Sequence, residues 1–142
     1  DPSCRAMVLF DRAWEGAPSK DAKWLAADVE QRLAPTWGER ARCVVLDPEV
    51  EVWVFSDSPH VDRTLGFSEG QLRPWLGAQG QWPDGQLKPG DPKTAVRQAL
   101  RKSGIKPSAA LFYELASKVG LERCTDSSFR SFVETLRTWF PP

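Results

Sequence analysis

Two short apolar runs in the first third of the chain each end in an aspartate. Asp11 follows Met7–Phe10, and Asp47 follows Cys43–Leu46. Carboxylates that gather in one place repel one another unless a cation joins them, and oxygen ligands favour Mg²⁺ or Mn²⁺ over zinc. Because glutamates follow both aspartates closely, the spacing predicts a divalent-cation site with the ligands Asp11, Asp47, Glu49 and Glu51.

A cation held in this way polarises a phosphate and lowers the pKa of a bound water, which is the chemistry of phosphoryl transfer and of metal-dependent nucleases. The residues predicted to take part in catalysis are Asp11, Glu15 and Glu49. The alternative is that Asp47 caps a helix and that the glutamates are solvated surface residues.

Basic side chains dominate the later part of the chain. The first 85 residues carry 9 basic and 14 acidic side chains, whereas the remaining residues carry 10 and 5. Several lie around a predicted helix that begins at Asp91-Pro92, and a helix N-terminus with nearby lysines favours an anion such as a DNA phosphate. The alternatives are the solvated face of an amphipathic helix and, near the last helix, bonds to a carbonyl or an acid. The predicted anion contacts are Lys88, Lys93, Arg97, Arg123 and Arg130.

The chain has one histidine, His60, in the segment Ser58-Pro59-His60. No local signature of a Ser-His-Asp or Cys-His arrangement accompanies it, so a turn residue is the simpler interpretation. Its position near the acidic segment keeps His60 and Asp57 as further candidates. The glycine-rich phosphate-binding patterns of Rossmann and P-loop proteins are absent from the sequence, which argues against nucleotide-driven mechanisms.

The elements that would position the carboxylates begin with strand, helix and strand. The two apolar runs indicate buried strands at about 7–11 and 43–47. Apolar side chains between them recur at helical spacing, which predicts a helix that Ser19 caps and Pro35 ends. This order is typical of a parallel sheet. Residues 49–57 are ambiguous, because their alternation slightly favours a strand whereas the preceding Asp-Pro-Glu favours a helix start.

The second half of the chain is predicted to be mainly helical. Residues 77–92 are a Gly/Pro-rich surface loop, and three helices follow within 91–140. The sequence thus predicts one α/β domain over residues 1–142, with a small parallel sheet flanked by helices and a helical C-terminal half. Three widely spaced cysteines and the lack of a membrane-length apolar run predict a cytoplasmic protein without a membrane partner.

Several segments together resemble a bacterial protein family. They are Phe10-Asp11 with Glu15-Gly16, Asp47-Pro48-Glu49-Val50-Glu51-Val52-Trp53, Ser56-Asp57-Ser58-Pro59-His60-Val61, Leu65-Gly66, Lys88-Pro89 with Pro92-Lys93, Arg123-Cys124 with Asp126 and Phe129, and Trp139-Phe140-Pro141. The chain resembles the fourth component of the methylation-associated anti-phage defence system, which is similar to a TOPRIM-like group. The Pro-Glu-x-Glu-x-Trp and Ser-Asp-Ser-Pro-His segments are the most specific parts of this resemblance.

The resemblance implies a TOPRIM-like sheet, a helix after Pro48-Glu49 that packs on it, and a further strand and helix before residue 1. The TOPRIM pattern has two aspartates separated by one residue, whereas in this chain Asp11 is followed by Arg12 and Ala13. Glu15 is therefore the expected substitute for the second aspartate. Implied partners are other defence proteins and DNA. Two functions follow: a Mg²⁺- or Mn²⁺-dependent nuclease, or a non-catalytic subunit that binds protein through an exposed apolar patch around Trp75 and Trp82.

Overall fold

The computed structural model describes residues 3–142, and the chain divides into two compact units. The first unit consists of the described residues up to Val50 together with Asp126–Pro142, and the second is the continuous segment Glu51–Thr125. Compact units can belong to one folded domain, so the single domain predicted over residues 1–142 stays a prediction. The elements in chain order are β1 (Ala6–Asp11), α1 (Ala22–Trp37), β2 (Ala41–Leu46), α2 (Pro59–Thr64), α3 (Leu72–Ala78), α4 (Pro92–Ser103), α5 (Ala109–Lys118) and α6 (Ser127–Trp139).

The first unit is built on a two-stranded parallel sheet. β1 and β2 pair from Ala6 opposite Ala41 to Asp11 opposite Leu46, which confirms the predicted strand-helix-strand arrangement and the mixed α/β class. Nearly all of β2 is buried, whereas β1 is only partly buried. The reason is that α1 and α6 both contact β2, and Leu25 of α1 shares a core with the β2 side chains.

Helix α1 begins and ends later than its sequence predicts. Asp21 caps it instead of Ser19, because the Asp21 carboxylate accepts a hydrogen bond from the Trp24 amide at 2.7 Å. Pro35 does not end the helix but lies inside its last turn, where the missing N–H removes only one helical hydrogen bond. The helix ends at Trp37, and the next residue, Gly38, caps it with a φ of 54° that suits glycine and an N–H that donates to the Ala34 carbonyl.

Residues 49–57 form neither the strand nor the α-helix predicted for them. A single 3₁₀ turn covers Val50–Trp53, and α2 begins only at Pro59. Capping of a helix by Asp47 is likewise wrong, because no α-helix starts there and the Asp47 carboxylate accepts a hydrogen bond from Arg12 instead. A four-residue turn satisfies few of its own backbone groups, so the surrounding side chains must supply hydrogen bonds.

The second unit is a cluster of the four helices α2 to α5 around an apolar core. Leu65, Leu76 and Ala99 are fully buried in this core, and Phe55 and Trp82 join it from the loops. The predicted helices that follow residue 91 are confirmed, with Asp91, Ser108 and Asp126 as their N-caps. The sequence did not predict α2 and α3, which are only 6 and 7 residues long. None of the helices within residues 3–142 combines the length and apolar character needed to cross a bilayer.

Candidate functional site

The two aspartates predicted to bind a cation take part in loop contacts of the first unit. Asp11 Oδ1 accepts a hydrogen bond from the backbone N–H of Val50, at 3.0 Å. Asp47 Oδ1 pairs with Arg12 Nε at 2.6 Å. Both carboxylates therefore have a protein partner, and the guanidinium of Arg12 supplies positive charge where a cation was expected.

The glutamates do not complete a cation site within the described chain. Glu15 is exposed, Glu49 is 8% exposed, and Glu51 is half-buried with a buried Oε2 that lacks a hydrogen-bond partner. Between residues 3 and 142 no group of three His, Cys, Asp or Glu side chains lies close enough together to hold a metal ion. The Mg²⁺ or Mn²⁺ site and the catalytic roles of Asp11, Glu15 and Glu49 stay predictions without a preformed ligand group.

Two of the predicted anion contacts bind backbone carbonyls of the second unit. Lys88 Nζ donates to the Val52 carbonyl at 3.0 Å, and Arg123 Nη1 donates to the Asp57 carbonyl at 3.0 Å. For Arg123 this is the carbonyl bond that the sequence left open as an alternative. Lys93 is half-buried on α4, whereas Arg97 and Arg130 are exposed on their helices. These five residues are thus spread over both units.

His60 belongs to the first turn of α2 and is not part of a loop turn as its sequence context suggested. The N-cap of this helix is Ser58, whose Oγ accepts a hydrogen bond from the His60 backbone N–H at 3.4 Å. Pro59 occupies the first helical position, where its missing N–H costs nothing. The dipeptide Ser58-Pro59 was therefore a usable helix-start signal, which was not recognised from the sequence. Asp57, the other secondary candidate, lies just before this cap and is exposed.

The second unit contains a groove of about 1120 Å³ that none of the sequence patterns predicted. It is formed by the segment before α2, by α2 and α3, and by the loop that follows α3. We call it the acidic groove. The apolar residues that line it are Phe55, Pro59, Val61, Leu72, Pro74, Trp82, Pro83 and Leu87. The charged residues are Asp57, Asp62, Glu69, Asp84 and Arg73. The small and hydroxyl-bearing residues are Ser56, Ser58, Gly70, Gly77, Ala78 and Thr125.

Carboxylates outnumber cations in the acidic groove by four to one. Two of the four have protein partners: Asp62 Oδ2 accepts from the Gly70 N–H at 2.8 Å, and Glu69 pairs with Arg63 at 2.8 Å. Asp57 and Asp84 are exposed, and their carboxylates make no hydrogen bond or ion pair with any described residue. Their charges are therefore available to a ligand.

The single cation of the groove, Arg73, is held by the protein. Its guanidinium lies 4.9 Å from the ring centroid of Trp82, and its Nη2 donates to the Gln86 carbonyl at 2.8 Å. Trp82 Nε1 donates to the same carbonyl at 2.9 Å. These contacts fix the loop that carries Asp84 and Leu87, and they hold the Arg73 guanidinium against that loop.

The expected apolar patch around Trp75 and Trp82 is not exposed. Trp82 is 8% exposed with its ring against Phe55, and Trp75 is half-buried against Phe67. The exposed apolar side chain of this region is Leu87, at 79%. An apolar surface is present, but it belongs to the acidic groove, with Trp82 in its wall.

No family model matches the sequence, and comparison with curated proteins and with solved structures finds no significant match.

Proposed function

We propose that this protein is a protein-binding component of a bacterial anti-phage defence system, and that it binds its partner in the acidic groove. One observation carries the proposal. The Ser56-Asp57-Ser58-Pro59-His60 segment is among the most specific parts of the family resemblance, and four of its five residues line the groove. Residues that give a family its signature and also line a cavity are candidates for recognition.

Three further features support this role. The groove combines apolar walls with a few polar groups, which is the usual composition of a binding cavity. The parallel β1–α1–β2 arrangement agrees with the TOPRIM-like relationship that the resemblance implies. Cys43 and Cys124 are buried cysteines that form no disulfide with a described residue, which suits action in the reducing cytoplasm, where a defence complex meets phage nucleic acid.

The test is phage challenge of cells that express the complete defence system with a variant of this protein. Leu87→Lys replaces an apolar side chain that is 79% exposed in the groove by a cation, and Tyr113→Lys is the matched control on α5, at 76% exposed and outside the groove. We expect Leu87→Lys to reduce plating protection to the level of cells without the protein, and Tyr113→Lys to keep it. Full protection by the Leu87 variant, at equal protein level, would refute the proposal.

Metal-dependent phosphoryl transfer on DNA is a separate proposal that rests on the sequence alone. Its test is Mn²⁺ binding by calorimetry, comparing the unchanged protein with the Asp11→Ala/Glu49→Ala double variant. Binding that the double variant abolishes, in a protein that still unfolds cooperatively, would support a cation site. No binding at millimolar Mn²⁺ would remove the basis for a nuclease.

A further inference from the structure

We infer that the acidic groove binds a cationic, apolar segment of a partner protein, in which arginine or lysine side chains alternate with apolar ones. This inference rests on the proposed function, because it names the chemistry of the partner that the groove would accept.

Charge is the first reason. The groove presents four carboxylates and one guanidinium, and even with Glu69 paired to Arg63 the carboxylates that remain outnumber the guanidinium of Arg73. The carboxylates of Asp57 and Asp84 have no hydrogen-bond or ion-pair partner within residues 3–142, although the Asp57 carbonyl binds Arg123. A ligand with guanidinium or ammonium groups would pair with them, whereas a phosphate backbone would be repelled. Nucleic acid is therefore disfavoured as the occupant.

Shape and apolar lining are the second reason. A volume of about 1120 Å³ is slightly larger than the usual range for small-ligand cavities and gives room for a stretch of polypeptide. Leu87 supplies exposed apolar surface among the carboxylates, at 79% exposed, whereas Leu72 and Trp82 belong to the buried part of the lining, at 2% and 8%. A peptide with apolar side chains would cover this surface, but a polyamine of the same charge would not.

The experiment is fluorescence anisotropy of a labelled peptide in which arginine alternates with leucine, added to the full chain. The comparison peptide has glutamine in place of each arginine. The test variant is Asp57→Asn/Asp84→Asn, and the control variant is Glu122→Gln/Glu134→Gln, which removes two exposed charges outside the groove. We expect the test variant to bind the arginine peptide roughly fivefold more weakly, because it loses two exposed ion pairs that each contribute about 0.5 kcal/mol. The control variant should bind the peptide with unchanged affinity.

Several outcomes would overturn the inference. They are equal affinity for the arginine and glutamine peptides, equal weakening by both double variants, or displacement of the peptide by spermidine at comparable concentration. The last result would show that charge alone is recognised. These failures differ from failure of the proposed function. If Leu87→Lys abolishes phage protection while the protein shows no preference for the arginine peptide over the glutamine peptide, the groove is a docking site and only its partner chemistry is wrong. If the Leu87 variant protects fully, the proposed function fails whatever the peptide does.

Discussion

The Asp11 carboxylate accepts a hydrogen bond from the backbone N–H of Val50 at 3.0 Å, although 39 residues separate the two. This bond joins the end of β1 to the start of the 3₁₀ turn that follows β2. An isolated turn of this length has little stability of its own. The residue that the sequence marks as a cation ligand is therefore, in the folded chain, an acceptor that helps to hold a loop.

Replacing Asp11 by alanine should lower the free energy of unfolding by about 1 kcal/mol, because the Val50 amide loses its partner. Asp11→Asn should cost less, since the asparagine Oδ1 can still accept the bond. Urea unfolding measures both, and Glu15→Ala, at an exposed position nearby, serves as the control. Equal losses from the alanine and asparagine variants would show that the hydrogen bond does not contribute.

Gly66 is required by a close approach within the second unit. Its φ is 83°, and a Cβ added there would lie 2.5 Å from Ser103 Cβ and 2.9 Å from Ile105 Cδ1. Gly66→Ala should therefore lower the free energy of unfolding by about 2 kcal/mol or more, through both overpacking and backbone strain. Thermal unfolding followed by circular dichroism measures the change.

The matched control for that variant is Gly90→Ala. Gly90 has no neighbouring atom within 4 Å of an added Cβ and no positive φ. This change should be neutral or slightly stabilising, because alanine restricts the unfolded chain more than glycine does. A Gly66→Ala protein as stable as the Gly90→Ala protein would contradict the packing described for α2 and the end of α4.

Arg73 should control the order of the loop that carries Asp84 and Leu87. Arg73→Ala removes both the stacking on Trp82 and the bond to the Gln86 carbonyl, and we expect faster proteolysis within residues 83–88. Arg73→Lys keeps the charge but not the planar group, so it should be intermediate. Limited proteolysis with mass analysis measures the cleavage, with Arg97→Ala as the control for loss of an exposed arginine. An unchanged rate of cleavage within residues 83–88 would refute this role, even if cleavage increased elsewhere.

Cys43 should make the stability fall at alkaline pH. Burial raises the pKa of its thiol from 9.0 to about 11, and the charge of Glu30, whose carboxylate accepts from the Cys43 amide at 2.8 Å, adds to the shift. The folded state holds this proton more tightly than the unfolded state, so its contribution is complete below pH 9 and is lost as the pH rises towards about 11.

The measurement is the free energy of unfolding across that pH range for the unchanged protein and for Cys43→Val. Other groups also titrate there, so the difference between the two proteins isolates the thiol. We expect the unchanged protein to lose more stability than the valine variant between pH 9 and 11. Parallel curves would mean that Cys43 titrates alike in the folded and unfolded states.

The sequence predicted the elements whose signals are local and repeated. β1, α1 and β2 follow from apolar runs and helical spacing, and α4 and α5 follow from capping residues, Asp91 and Ser108, directly before apolar periods. α2 and α3 were missed because 6 and 7 residues are too few to show a period. Short helices of this kind depend on tertiary packing, here of Leu72 and Leu76 in the core.

The candidate site was predictable only in its residue types. The pattern placed Asp11 and Asp47 at strand ends, where they are found. It did not predict that the Val50 amide binds Asp11 and that the Arg12 guanidinium binds Asp47. The acidic groove combines residues as distant as Phe55 and Thr125, so no local period or spacing could indicate it. Its charge emerges only when the chain is folded, because the sequence around it is not unusually acidic.

The order of the two units along the chain has a consequence for synthesis on the ribosome. The second unit is one uninterrupted segment, whereas the first unit needs α6, which follows it in the sequence. We therefore expect the second unit to finish folding first, because all of its residues are synthesised before α6. β2 stays partly exposed until α6 has been synthesised and packs on it. Nascent chains that stop before α6 would leave apolar strand surface uncovered, and chaperone binding should be concentrated on those intermediates.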